Sequence, residues 1–151
     1  MIEVKGLSKA FGTKQVLTDV SFKMEAGETN LIIGSSGSGK TVLMKLMIGL
    51  FVPDQGQVLY NGVDITQADK HEKKEIRQQI GMLFQGSALF DSKTVQENIM
   101  FPLDMFTQKT SKEKLARVQE VLERVNLKDA NHKFPSEISG GMQKRVALAR
   151  A

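Results

Sequence analysis

The chain has 151 residues, 40% hydrophobic and 25% charged, the proportions of a globular domain with a core of its own. Its 21 Lys and Arg exceed 17 Asp and Glu by four, yet both signs interleave in Asp69–Glu75, which speaks for a solvated helix face and against a nucleic-acid partner. The absence of cysteine excludes a disulfide scaffold and thiolate chemistry.

Met1–Gly12, with Glu3, Lys5 and Lys9, does not read as a signal peptide, and Val42–Val52 is far shorter than the ~20 residues a membrane span needs. A soluble protein in a reducing compartment is expected, with any membrane link made through a partner. Ile2 and Val4 alternate with polar residues, as do Val20, Phe22 and Met24, so the chain opens with strands, with turns at Gly12 and Ala26-Gly27. Leu31-Ile32-Ile33 is a continuous apolar run ending at Gly34, the pattern of a strand buried on both faces. Leu43, Leu46, Met47 and Leu50 follow at i, i+3, i+4 and i+7 and predict a helix, widened by Met44 and Ile48 and stopped by Gly49 with Pro53 beyond. Gln57–Tyr60 before Asn61-Gly62 predicts a strand entering a hairpin turn. Ile80–Phe84 predicts another apolar strand, ending on Gln85.

Beyond Gln85 the pattern becomes helical. Thr94 with Glu97 and Thr110 with Glu113 fit capping boxes. The second of these helices places Leu115, Val118, Leu122 and Val125 on one face and pairs Glu120 with Arg124 outside. A final helix begins near Gly140. No internal repeat, low-complexity tract or flexible linker interrupts the series.

Gly34-Ser35-Ser36-Gly37-Ser38-Gly39-Lys40-Thr41 fits the pattern G-x-x-x-x-G-K-[ST] at every position, between a predicted strand and a predicted helix. Glycines let the main chain wrap closely around phosphate oxygens. The amides of Gly37–Thr41 then face an anion at a helix N-terminus, where the helix dipole favours negative charge. Lys40 adds a full charge for the β- and γ-phosphates, and the Thr41 hydroxyl is suited to ligate Mg²⁺.

Ile138-Ser139-Gly140-Gly141-Met142-Gln143-Lys144-Arg145-Val146-Ala147-Leu148-Ala149-Arg150-Ala151 narrows the class. This run strongly resembles the signature segment of ATP-binding cassette (ABC) ATPases. The resemblance spans Ile2–Ala151 and implies an α/β P-loop NTPase fold: a RecA-like core with an N-terminal antiparallel β-subdomain and an α-helical signature subdomain. It implies a boundary in which residues 1–85 hold the β-subdomain and P-loop core and 86–151 the helical subdomain. In that family the signature Ser139, Gly140 and Gly141 would bind the γ-phosphate of ATP held by a second subunit of a homodimer. Gln85 looks like the family's Q-loop glutamine, expected to touch Mg²⁺ and the attacking water. Phe11 looks like the aromatic that stacks on adenine, with Val16 beside it.

Gly81-Met82-Leu83-Phe84-Gln85-Gly86-Ser87-Ala88-Leu89-Phe90-Asp91-Ser92 resembles the ATPases of Mla-type phospholipid transporters. Met142, where most relatives have glutamine, points the same way; it cannot make glutamine's polar contacts and is expected to pack. The resemblance thus implies an ATP-binding transport subunit working with transmembrane permease subunits at the inner face of the cell membrane, with a phospholipid as cargo. The family's Walker B aspartate, catalytic glutamate and switch histidine are not found, and His71 and His132 both precede the signature. The chain is therefore expected to be a C-terminally incomplete copy of the family domain, prone to aggregation and negligibly active in ATP hydrolysis by itself. Two other readings stand beside this one: a soluble ABC ATPase of DNA repair or translation, and a shortened module that binds nucleotide without turnover.

Overall fold

The computed structural model describes residues 1–151. They form two compact units, Met1–Ile80 and Gly81–Ala151.

In the first unit, strands β1 (Ile2–Phe11) and β2 (Lys14–Met24) form an antiparallel hairpin turning at Gly12-Thr13. Strand β3 (Gln55–Tyr60) pairs with the other edge of β1, and the short β4 (Val63–Asp64) returns along β3, giving the order β2-β1-β3-β4. The β3–β4 turn is Asn61-Gly62, both at positive φ, as a two-residue hairpin requires. Helix α1 (Lys40–Met47) buries Leu43, Leu46 and Met47 in the same core as Val4, Leu7 and Val58 of the sheet.

The stop predicted at Gly49 is present in detail. Gly49 takes φ +67 just beyond the C-cap Ile48, its N–H donates to Leu46 O at 2.9 Å, and the Leu50 N–H donates to Lys45 O at 2.8 Å. These paired bonds satisfy the last carbonyls of the helix and need a left-handed residue at that position. Helix α2 (Lys70–Gln78), capped by Asp69, sends Arg77 to the Ile48 and Gly49 carbonyls at the same helix end. This is the solvated helix foreseen from its mixed charges, and none of its residues is buried.

Two expected strands are not formed. Leu31–Ile33 and Ile80–Phe84 carry no strand pairing, and Leu31 and Ile33 are 83% and 81% exposed. Only Ile32 packs against the core. An apolar run becomes a strand when neighbours supply ladder bonds and cover its faces. The sheet of this unit is wholly antiparallel and includes neither run.

The second unit is helical: α3 (Val95–Phe106), α4 (Ser111–Arg124) and α5 (Gly140–Arg150). Both capping boxes are made, with Thr94 accepting from the Glu97 amide and Thr110 from the Glu113 amide while each glutamate reaches back. The core joins Val95 and Ile99 of α3, Val118 and Leu122 of α4, and Val146 of α5. Glu120 pairs with Arg124 at 2.7 Å as predicted. The buried face of α4 runs through Val121, however, and Leu115 is left exposed, because the helix meets its neighbours over its C-terminal turns. No helix is long and apolar enough to cross a membrane.

Candidate nucleotide-binding site

The loop Gly34–Gly39 leads directly into α1. Gly37 and Gly39 hold φ of +80 and +94, and the Ser38 N–H closes a turn onto Ser35 O at 3.3 Å. Gly39, the N-cap of α1, supplies no side chain to cap the helix. The first-turn amides of α1 therefore lack the intramolecular acceptor that Thr94 and Thr110 give to α3 and α4. A helix start of this kind has the donors and the dipole to hold an anion.

Gly39 has a second constraint. A Cβ there would lie 3.0 Å from Leu17 Cδ2 and 3.1 Å from Val16 Cγ1, so the loop backbone rests directly on β2. Val16, read from the sequence as a nucleotide neighbour, is thus brought against the loop. Lys40 folds back across it, donating to Gly34 O at 2.8 Å and Ser35 O at 2.7 Å. Its ammonium lies against the first two carbonyls of the loop. Thr41 is exposed on the first helical turn.

These residues fit a nucleoside phosphate: uncapped amides, a cation against the loop carbonyls and a left-handed backbone crowded against β2 at Gly39. Mg²⁺ fits as well. No group of three or more His, Asp or Glu side chains could cage a metal. The ion's habit is to use one or two protein oxygens and complete its shell with phosphate and water.

Phe11 lies at the β1–β2 hairpin tip, 45% exposed. Its ring meets Phe51 edge-on at 5.6 Å between centroids, and Lys9 Nζ lies 5.5 Å from its own centroid. Lys9 is pinned by Asp54 at 2.7 Å, and Asp54 also accepts from the Ala10 N–H at 2.6 Å. Those two bonds, Lys9 first, hold the Asp54 carboxyl below the ordinary carboxylate range. Asp54, Phe51 and Lys9 were not legible as a group, since their contacts join residues far apart in sequence.

In the second unit, Gln85 sits exposed in a turn after the unpaired run Ile80–Phe84. Ser139 caps α5, its Oγ accepting from the Met142 N–H at 3.3 Å, which leaves the hydroxyl proton free to donate. Gly140 and Gly141 form the exposed first turn of the same helix. Met142 packs against the helical core, as its chemistry requires. Arg145 fastens α5 to the end of α4 through Val125 O at 3.2 Å and Asn126 O at 3.0 Å.

Asn98 is a structural centre that the sequence analysis does not single out. Fully buried, it accepts from Phe90 N–H at 2.8 Å and donates to the carbonyls of Phe90, Lys93 and Thr94 at 3.0–3.1 Å. Its only signal is a polar residue on the apolar side of α3. Ser87 and Ala88 are at positive φ without being glycine. Such conformations cost of order 1–3 kcal/mol each and persist where neighbours hold them.

A family model described as ABC transporter matches residues 17–151. The chain belongs to the ABC transporter family. Among curated members of that ABC family, it is 46% identical over 150 residues to the probable ribonucleotide transport ATP-binding protein mkl of Mycobacterium leprae, covering 99% of this chain and 43% of that protein. It is 44% identical to the methionine import ATP-binding protein MetN of Latilactobacillus sakei, covering all of this chain and 45% of the relative. The chain thus spans less than half the length of these curated relatives. Among solved ABC cassettes, a dimer in a post-hydrolysis state bound to ADP and Pi superposes with a TM-score of 0.89 at 32% identity, over 99% of this chain and 68% of that one. The α/β cassette fold expected from the resemblance is the observed one.

Proposed function

We propose that this chain is the nucleotide-binding part of an ATP-driven ABC transport subunit, with residues 1–85 forming the β-subdomain and P-loop core and 86–151 the helical signature subdomain. The observation that carries the reading is the N-terminus of α1, uncapped by any side chain and overlaid by Lys40. Backbone amides of Gly37–Thr41 bind the phosphates by hydrogen bonds and dipole. Lys40 exchanges its two carbonyl partners for β- and γ-phosphate oxygens, gaining charge-assisted bonds. Phe11 stacks on adenine, its ring held by Phe51, with Val16 beside it. Thr41 and Gln85 are the oxygen ligands offered to Mg²⁺. When bound, that ion neutralises developing charge on the transferred phosphoryl group.

Ser139, Gly140 and Gly141 present a hydroxyl and helix-start amides to the γ-phosphate held by a partner subunit. The resemblance to a dimeric cassette with ADP and Pi supports this arrangement. The subunit would work at the inner face of the membrane through permease subunits. Phospholipid cargo rests on the segment Gly81–Ser92 and on Met142; the names of the two relatives carry ribonucleotide and methionine instead.

Titration of the chain with ATP, with and without Mg²⁺, tests the site. Mg²⁺ is expected to tighten binding in the unmodified chain, and Thr41→Ala is expected to remove most of that gain while leaving Mg²⁺-free binding in place. Equal Mg²⁺ gains in both proteins would remove Thr41 from the metal site. Phosphate release by the 151-residue chain is expected to be negligible, and steady release abolished by Lys40→Ala would overturn that expectation.

A further inference from the structure

The segment Gly81–Ala88 bears Gln85 in its turn and meets the last turn of α5 on both sides of that residue. At Gly81, an added Cβ would lie 2.6 Å from the Ala151 carbonyl oxygen, so the backbone runs directly against the helix end. Beyond Gln85, the consecutive residues Ser87 and Ala88 hold φ of 56 and 50. Two non-glycine residues in succession rarely take this conformation. Local bonds contribute, from Ser87 N–H to Phe84 O at 3.1 Å and from Ala88 N–H to Gly86 O at 2.6 Å.

Arg150 completes the hold. Its Nη1 donates to Ala88 O at 2.7 Å and its Nη2 to Ser87 O at 3.1 Å, and its guanidinium lies 5.8 Å from the Phe90 ring centroid. A planar fork can serve two adjacent carbonyls and stack on a ring at once, whereas an ammonium acts as a point charge. Phe90 is itself fixed by the buried Asn98 through both of its backbone groups.

We propose that Arg150 is a positioning residue for Gln85: it locks the left-handed Ser87-Ala88 backbone to the end of α5 and so sets where Gln85 points. The inference rests on the nucleotide-site reading of Gln85. Helix α5 carries Ser139 at its other end, roughly 16 Å away at 1.5 Å per residue. One rigid element therefore joins the signature turn to the Gln85 loop, and displacement at either end is felt at the other.

Two measurements on the 151-residue chain test this. Amide hydrogen exchange at Ser87 and Ala88 is expected to speed by on the order of tenfold in Arg150→Ala and by less in Arg150→Lys, with Val118 and Leu122 of α4 unchanged as the fold control. The Mg²⁺-dependent gain in ATP affinity is expected to fall in Gln85→Ala and to fall in the same direction in both Arg150 variants. Unchanged exchange at Ser87 and Ala88 would overturn the proposal, as would a full Mg²⁺ gain in the Arg150 variants when Gln85→Ala has lost it. If Gln85→Ala keeps the gain, the reading of Gln85 fails and takes its positioning residue with it. Should Arg150→Ala not fold, Arg150→Lys alone decides.

Discussion

Two residues show how little tolerance the site and its supports have. Gly39 combines a left-handed backbone with a close approach to Val16 and Leu17, so any side chain there is strained and crowded. Gly39→Ala is expected to destabilise the first unit by about 2 kcal/mol and to weaken ATP binding with it, as read by thermal melting and titration. Asn98 joins four backbone groups from a buried position. Asn98→Leu fills similar space but strands those groups, and a loss of about 2 kcal/mol or more is expected in denaturant unfolding. The glycine was legible in the sequence because a motif demands it. Asn98 was not, because a single polar residue on a helix has no periodicity to betray its partners.

At the scale of elements, caps carried most of what the sequence told. Thr94–Glu97 and Thr110–Glu113 are formed as read, and Gly49 ends α1 as read. These signals are local, so chain order alone encodes them. Thr94→Ala is expected to cost about 1 kcal/mol in helix stability, measurable as a lowered unfolding midpoint. The capping glutamates add a pH dependence. Glu97 is held below the ordinary glutamate range by the Thr94 amide and then its hydroxyl, and Glu113 by the Thr110 hydroxyl and then its amide. A depressed carboxyl stabilises the folded state above its unfolded value and loses that contribution as pH falls through the folded one. Helicity of the second unit is therefore expected to decline below the ordinary glutamate range. Replacing both residues by glutamine should flatten that decline in a circular-dichroism pH titration. The misread elements, Leu31–Ile33 and Ile80–Phe84, are those whose formation depends on strands elsewhere rather than on their own residues.

At the scale of the whole molecule, the family and its fold follow from two glycine-rich helix starts, one at Gly39-Lys40 and one at Ser139-Gly140, and from matching over nearly the full chain. Leu31 and Ile33 in the first unit, and Leu83 and Phe84 in the second, are among the exposed large apolar side chains. Leu31→Lys with Ile33→Lys is expected to raise the concentration at which the chain stays monodisperse in light scattering, with little change in its unfolding midpoint. A large drop in that midpoint would mean that the run is packed after all.

In the proposed function, the Gly34–Thr41 loop holds the phosphates of a nucleotide through the start of α1 and Lys40. The most direct measurement is titration of the 151-residue chain with ATP in Mg²⁺, beside its Lys40→Ala counterpart of unchanged circular dichroism. Saturable one-to-one binding is expected, weakening by about tenfold or more on loss of the ammonium, a difference of at least about 1.4 kcal/mol. Equal affinity in the two proteins, or no saturable binding by the folded chain, would contradict it.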